Sequence, residues 1–263
     1  MPEPLLFLKL GGSLITNKNE AETALVERLE MLLAELRQFT LENPNTRVLL
    51  GHGSGSFGHH AAAKHQTRAG VEGKNGWLGF VEVWRSAQKL NQIVLRAAAK
   101  VGLTTIVFPP SACVLARAGR VRTWETEPIK KALQAGLIPV VYGDVVFDEI
   151  LGGTILSTEE LFYHLASALN PSRVLLAGIE PAVFADFPAN SEPIAFIGKD
   201  QVLENFLQTS RSEDVTGGMR AKVSQMQLLC KQSPGSQVEI FTAVHPGELL
   251  LALKGYHSGT IIS

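Results

Sequence analysis

Val48-Leu49-Leu50-Gly51-His52-Gly53-Ser54-Gly55-Ser56-Phe57-Gly58-His59 is the stretch from which the fold of this chain can be read. An apolar strand runs into a loop with four glycines and then into the small-residue segment Ala61-Ala62-Ala63-Lys64, the pattern of strand, tight turn and helix. Such a loop presents main-chain N–H groups at a helix N-terminus, where the peptide dipoles favour an anion. It therefore reads as a phosphate cradle, and its histidines add donors that a plain turn does not need.

The same pattern recurs along the chain. Leu5–Leu10 is an apolar run ending at Gly11-Gly12, and Leu25, Leu29, Leu32, Leu33 and Leu36 follow at helical spacing. Strands are predicted at Thr104–Phe108, Ile138–Tyr142, Val174–Ala177, Val238–Phe241 and Gly259–Ser263. Helices are predicted at Phe80–Ala99, Glu125–Ala135, Thr158–Leu169, Met219–Lys231 and Pro246–Lys254, with a weaker one at Gln201–Leu207. Continuously apolar strands alternating with helices predict an α/β chain, with a mainly parallel central sheet covered on both faces. Asn170-Pro171 closes one helix and sets a boundary between lobes 1–172 and 173–263, with one sheet expected to run through both.

Composition narrows the function. The 263 residues carry 24 Lys+Arg against 25 Asp+Glu, a net charge of -1, with no basic block to attract nucleic acid or a membrane surface. Any anion site must be local. The two cysteines, Cys113 and Cys230, fit free thiols in a reducing compartment and exclude a disulfide framework. The N-terminus has no basic n-region and no apolar run nears the ~20 residues of a membrane helix, so the chain reads as cytoplasmic.

Two further glycine sites join the first. Lys9-Leu10-Gly11-Gly12-Ser13 closes a strand with a cation beside a close-approach turn, and Thr216-Gly217-Gly218-Met219-Arg220-Ala221-Lys222 opens a helix with two cations on its first turns. Each taken alone is also an ordinary turn or capped helix start. None is a Walker loop, because no glycine precedes a Lys-Ser/Thr pair at the required spacing. Gly53-Ser54-Gly55-Ser56-Phe57-Gly58 matches G-x-G-x-x-G, yet it follows the second strand rather than the first, where a dinucleotide fingerprint belongs.

Taken jointly, Lys9-Leu10-Gly11-Gly12-Ser13, the glycine loop at 51–59, Gly143-Asp144 and Val215-Thr216-Gly217-Gly218-Met219 with Lys222 resemble the amino acid kinase family over nearly the whole chain. Within it, Ile15-Thr16-Asn17-Lys18 and the histidine at position 59 are similar to the branch that acts on a prenyl monophosphate. The resemblance implies an αβα sandwich, dimerisation, and ATP- and Mg2+-dependent phosphorylation of isopentenyl monophosphate to the diphosphate, as in isoprenoid biosynthesis. It assigns Lys9 and Lys222 to the nucleotide's phosphates, with Gly11, Gly12, Ser13, Ser54, Gly178, Gly217 and Gly218 around them. Lys18 goes to the transferring group. The acceptor phosphate is assigned to His59 with the N–H groups of Gly53, Ser54 and Gly58 and the hydroxyls at Ser157 and Thr158, His60 being the competing histidine. No protein ligand is assigned to the metal. The N-terminal lobe then takes the acceptor and the C-terminal lobe the nucleotide.

The chemistry agrees with this list. A phosphate monoester has a second pKa near ~6, so it is an anionic nucleophile at neutral pH and needs no general base. What remains is to position two anions and screen them with cations, the role available to Lys9, Lys18 and Lys222. A five-carbon tail needs an apolar slot. Trp77, Phe80, Val83, Trp84 and Ala87 share a helix face, and the resemblance makes Phe80 and Val83 the limit on tail length, although core packing explains the same stripe. Two positions depart from the family's pattern: Thr158-Glu159-Glu160 stands where a lysine-ordering aspartate is usual, and Gly178-Ile179-Glu180-Pro181-Ala182-Val183 replaces an acidic T-D-x-D-G loop near the nucleotide. The residues leave open a kinase for another phosphate or phosphonate, such as fosfomycin, and a non-catalytic nucleotide-binding protein on the same fold.

Overall fold

A computed structural model describes residues 4–185, 189, 191–202 and 218–263, with the side chains of His59 and His60 outside that description. β1 (Leu5–Leu10) leads through α1 (Gly12–Ile15) and α2 (Val26–Glu42) to β2 (Arg47–His52). After it come α3 (Gly55–His65), the long α4 (Gly73–Lys100), β3 (Thr105–Val107) and the short α5 (Pro110–Cys113). β4 (Val114–Arg117), β5 (Arg120–Trp124), α6 (Glu127–Gln134) and β6 (Ile138–Tyr142) follow. Next are β7 (Asp144–Asp148), β8 (Gly152–Leu156), α7 (Thr158–Leu169) and β9 (Arg173–Gly178). The remainder holds β10 (Val183–Phe184), β11 (Pro193–Ile194), β12 (Phe196–Ile197), α8 (Gly218–Gln232), β13 (Gln237–Thr242), α9 (Glu248–Leu253) and β14 (Thr260–Ile262). Of the expected helix at Gln201–Leu207, Gln201 and Val202 are not helical and the rest lies outside the described residues.

Eight strands form one sheet in the order β12-β14-β13-β9-β1-β2-β6-β3, parallel except at the β13–β14 pair. The α/β expectation of a mainly parallel sheet is met. β1 lies at its centre, with Leu8 opposite Leu50 on one side and Leu175 on the other. Strand alternation sends Leu5 and Phe7 to one face and Leu6, Leu8 and Leu10 to the opposite face. The first face packs on α6, α7 and α8 through Ile129, Leu133, Leu161, Phe162, Val223 and Met226, with the Phe7 and Phe162 rings 5.0 Å apart. The second is covered by α2, α4 and α9 through Leu29, Leu33, Leu36, Leu90, Val94 and Leu249. Lys9 continues the alternation of Phe7. It therefore emerges at the strand's C-terminal end on the α7 side.

A second sheet, in the order β5-β4-β7-β8, was not expected from sequence. Its strands are four or five residues long, too short for a secure period of two. The turn joining β4 to β5 puts Ala118 and Gly119 at φ +50° and +75°, and Ala-Gly is a weaker hairpin signal than Asn-Gly. Asp148 secures both hairpins by accepting main-chain N–H bonds from Ala118, Gly119, Ile150 and Leu151 at 2.7–3.0 Å.

Candidate active site

In parallel α/β sheets, ligands bind beyond the C-terminal strand ends, at the point where strand order reverses. Here the reversal falls beside β1, between β2 on one side and β9 on the other. Gly11-Gly12 follows β1, Gly53-Ser54-Gly55 follows β2, Gly143 follows β6 and Gly178 ends β9. All four meet at one edge.

The two glycine loops touch through their backbones. A Cβ added to Gly12 would lie 2.3 Å from the Gly55 nitrogen, and one added to Gly53 would lie 2.8 Å from the Gly12 nitrogen. Gly55 itself has φ +49°, and any side chain there would meet Thr16 Oγ1 at 2.1 Å. Thr16 links the loops by donating to the Gly12 carbonyl at 2.8 Å and accepting from Ser56 N–H at 3.0 Å. Only glycines permit this approach.

The loop's donors differ from the expected set. Gly53 N–H is donated to the Leu10 carbonyl at 3.0 Å, and Gly58 N–H to the Ser54 carbonyl at 3.3 Å. Neither is available to an anion. Gly58 is required for another reason, since a Cβ there would meet Ser54 Oγ at 2.4 Å. The N–H groups of Ser54 and Gly55 at the start of α3, and of Gly12 and Ser13 at the start of α1, have no acceptor among the described residues. Thr158 is a similar correction: its hydroxyl is buried and donates to the His52 carbonyl at 2.7 Å, which leaves its main-chain N–H at the first position of α7. Ser157 caps α7, its Oγ accepting Glu160 N–H at 3.2 Å while Glu160 accepts Ser157 N–H at 2.6 Å.

That capped first turn aims Glu159 at β1. Its carboxylate is ion-paired with the Lys9 ammonium, both side chains being close to fully buried. Burial would push the Glu159 carboxyl up, but the positive charges of Lys9 and then Lys222, with the Lys9 hydrogen bond, hold it below the usual carboxylate range. The glutamate thus gathers lysines from β1 and α8. Lys18 is exposed on the loop after α1 and has no ion pair among the described residues. Gly218 opens α8 at φ +67°, while Gly217, Thr216 and Val215 lie outside the described residues, as does the side chain of His59.

Two buried groups stand beside the glycine loop: His52, expected from sequence to support the loop, and Asp144 of the Gly143-Asp144 motif, to which no separate role was assigned from sequence. His52 is stacked on Tyr142 with ring centroids 5.1 Å apart, contacting the Gly53 carbonyl and the Asn91 side-chain amide. Burial pushes its pKa down to about 4, so it is neutral. Asp144 is pushed up to about 6 by burial, offset in part by Ser111, whose N–H it accepts at 3.2 Å. The sequence signal for it was Gly143-Asp144 directly after a buried strand. Beside them Phe80, Val83, Val71, Ala61, Ala62 and Val145 form a small core separate from the two main ones. Phe80 packs on Trp77 and Phe147, each at 5.3 Å between ring centroids.

Paired glycine cradles, the Lys9–Glu159 ion pair and the switch-point geometry define a phosphotransferase site, and the family model described as amino acid kinase matches residues 4–241; the chain belongs to that family. Its relatives are more particular. The isopentenyl phosphate kinase of Methanothermobacter thermautotrophicus is 33% identical over 261 residues, covering 95% of this chain and 96% of that protein. The isopentenyl phosphate kinase of Arabidopsis thaliana is 30% identical, covering 85% and 83% of the two chains. A solved X-ray structure of isopentenyl phosphate kinase superposes with a TM-score of 0.84 at 30% identity, covering 98% of this chain and all of the other.

Proposed function

We propose that this chain phosphorylates isopentenyl monophosphate to isopentenyl diphosphate with ATP, by direct in-line transfer. The observation that carries this reading is the backbone contact between the Gly11-Gly12 and Gly53-Gly55 loops. Two anion cradles with a shared wall bring a donor phosphoryl and an acceptor phosphate into line without a relay residue. The near full-length relatives of that name support the choice of acceptor.

Lys9 and Lys222 neutralise the nucleotide's phosphates, Lys9 being held in place by Glu159. Lys18 meets the transferring phosphoryl, and His59, with the N–H groups of Ser54 and Gly55, holds the acceptor. Losing one such cation removes about 2.7–4 kcal/mol of transition-state stabilisation, roughly 100- to 1,000-fold in rate. Residues 1–172 carry the acceptor side and 173–263 the nucleotide side. Among the described residues no three His, Cys, Asp or Glu side chains gather as a metal cage, and the nearby Glu159 is already paired with Lys9. That donor set fits a Mg2+ ion held mainly by nucleotide oxygens and water, which when bound would draw charge from the transferring phosphoryl. The chain acts as a homodimer, which light scattering would register at twice the chain mass.

The test is ADP release with isopentenyl phosphate, ATP and Mg2+, run beside His59→Ala and with fosfomycin as a parallel acceptor. Turnover with isopentenyl phosphate that collapses in the variant is expected. No turnover by the unaltered protein would sink the assignment, and preference for fosfomycin would redirect it.

A further inference from the structure

The loop that carries Lys18 is tied down at two points, and the second tie has no part in the site as described above. At its base, Thr16 pairs with Ala24, and Thr16 Oγ1 bridges the two glycine loops. Asn17 N–H is donated to the Thr23 carbonyl at 2.8 Å and Leu25 N–H to the Ile15 carbonyl at 2.8 Å, closing a hairpin-like excursion with Lys18 near its tip. On the far side stands Glu22. Its φ is +52°, a left-handed conformation that an L-residue holds only where its surroundings impose it.

In that conformation the Glu22 N–H meets the Ser56 carbonyl at 3.5 Å and the side chain reaches α4. One Glu22 carboxylate oxygen accepts the Ser86 hydroxyl at 2.6 Å and the other accepts the Lys89 ammonium at 2.6 Å. Ser86 is nearly buried, and the two partners are three residues apart on one helix face. The Lys89 and Ser86 hydrogen bonds keep the Glu22 carboxyl below its usual range, so the clamp stays charged at neutral pH. The same helix supplies Phe80 and Val83 to the small core beside the acceptor side. Without the Glu22 side chain the loop would keep its main-chain bonds, among them that of residue 22 N–H to the Ser56 carbonyl at 3.5 Å, but would lose its link to α4.

We propose that Glu22 is a positioning residue that clamps the Lys18 loop to α4 through Ser86 and Lys89, fixing the lysine ammonium relative to the acceptor site. The inference rests on the reading of Lys18 given under Proposed function. A displacement of about 1 Å at a reacting group costs on the order of 100-fold in rate. Loss of the clamp acts on kcat, because the nucleotide cradle at Lys9 and Gly11-Gly12 is untouched.

The experiment is a double-mutant cycle on the full chain, measuring kcat and both KM values for Glu22→Ala, Glu22→Gln, Lys18→Met and the Glu22→Ala/Lys18→Met pair, with a thermal melt of each. Glu22→Ala should lower kcat about 10- to 100-fold at an unchanged KM for ATP, and Glu22→Gln, which can still accept from Ser86, should recover part of it. In the Lys18→Met background the Glu22→Ala change should cost nothing further. If Glu22→Ala does not fold, Ser86→Ala and Lys89→Met remove the clamp from the other side and must lower kcat in the same way. Wild-type kcat in the clamp variants, or an equal loss with and without Lys18, overturns the inference alone. Wild-type kcat in Lys18→Met overturns the Lys18 reading and the inference together.

Discussion

Replacing Gly12 with alanine tests whether the two glycine loops act as one site. Gly12 has no positive φ, so alanine meets no backbone strain there, and its effect is purely steric. The new Cβ would sit 2.3 Å from the Gly55 nitrogen and 2.6 Å from its Cα, where ordinary contact begins at 3.4 Å. Both neighbours are main chain, so no side chain can swing aside. One loop must withdraw by about 1 Å, and overpacking of this kind costs about 1–3 kcal/mol, or a fall in melting temperature of roughly 2–4 °C per kcal/mol for a chain of this size. The catalytic cost is larger. A ~1 Å offset between donor and acceptor lowers kcat on the order of 100-fold. Gly235→Ala is the control, since nothing lies within 4 Å of its Cβ and its φ is not positive. It should keep full activity and gain about 0.4–1 kcal/mol through the unfolded state. The assay is coupled ADP release together with thermal melts of all three proteins. A Gly12→Ala enzyme within a few-fold of wild-type kcat would refute the claim that backbone contact between the cradles aligns the reaction.

Three other outcomes are expected. Phe80→Ala opens the small apolar core at a stability cost of about 3–5 kcal/mol and should raise relative kcat/KM for longer prenyl phosphates; an unchanged chain-length preference removes that role. His52, its folded pKa of about 4 lying below the ordinary 6.5, refuses a proton that the unfolded chain accepts, so stability should fall as pH drops from about 6.5 towards 4; His52→Gln should flatten the urea midpoint over that range, and equal slopes count against it. Asp148, whose carboxyl burial would raise but whose four N–H donors hold low, contributes stability above the usual carboxylate pKa that is lost as pH falls through its depressed value. Asp148→Asn should cost about 1–3 kcal/mol and show a weaker acid limb in denaturant titrations, against a wild-type curve that would otherwise match it.

Seven strands of the eight-stranded sheet were legible because the central ones are largely apolar and end at glycines: Leu5–Leu10, Val48–Leu50 and Ile138–Tyr142 signal burial on both faces; β12, only two residues long, was not. The second sheet was not, since Val114–Arg117 alternates buried and exposed residues over only four positions and its turn lacks a strong marker. Within the site, the lysines and glycines stood out by residue type. Their partners did not. Glu159 reads as a departure from a family pattern, and only the capped first turn of α7 shows that it reaches Lys9. Sequence could not tell which loop N–H groups are spoken for, because Gly53 and Gly58 donate to carbonyls whose proximity depends on how β1, β2 and α3 pack. His52 was legible as a support of the loop and Asp144 as part of a motif, but their burial and their partners Asn91 and Ser111 depend on how α4 and α5 pack.

The position of β1 also bears on how such a protein can diverge. The Lys9-Gly11-Gly12 end of the site grows from the innermost strand, paired on both sides, where a change of backbone disturbs β2 and β9 at once. The small apolar core leans on α4 and the separate hairpin sheet, meeting at Phe80, Phe147 and Gly153, where a Cβ would lie 2.8 Å from the Phe80 ring. Inheritance can therefore act unevenly on the two. A lineage can exchange side chains at the periphery while the end of the innermost strand is passed on unaltered.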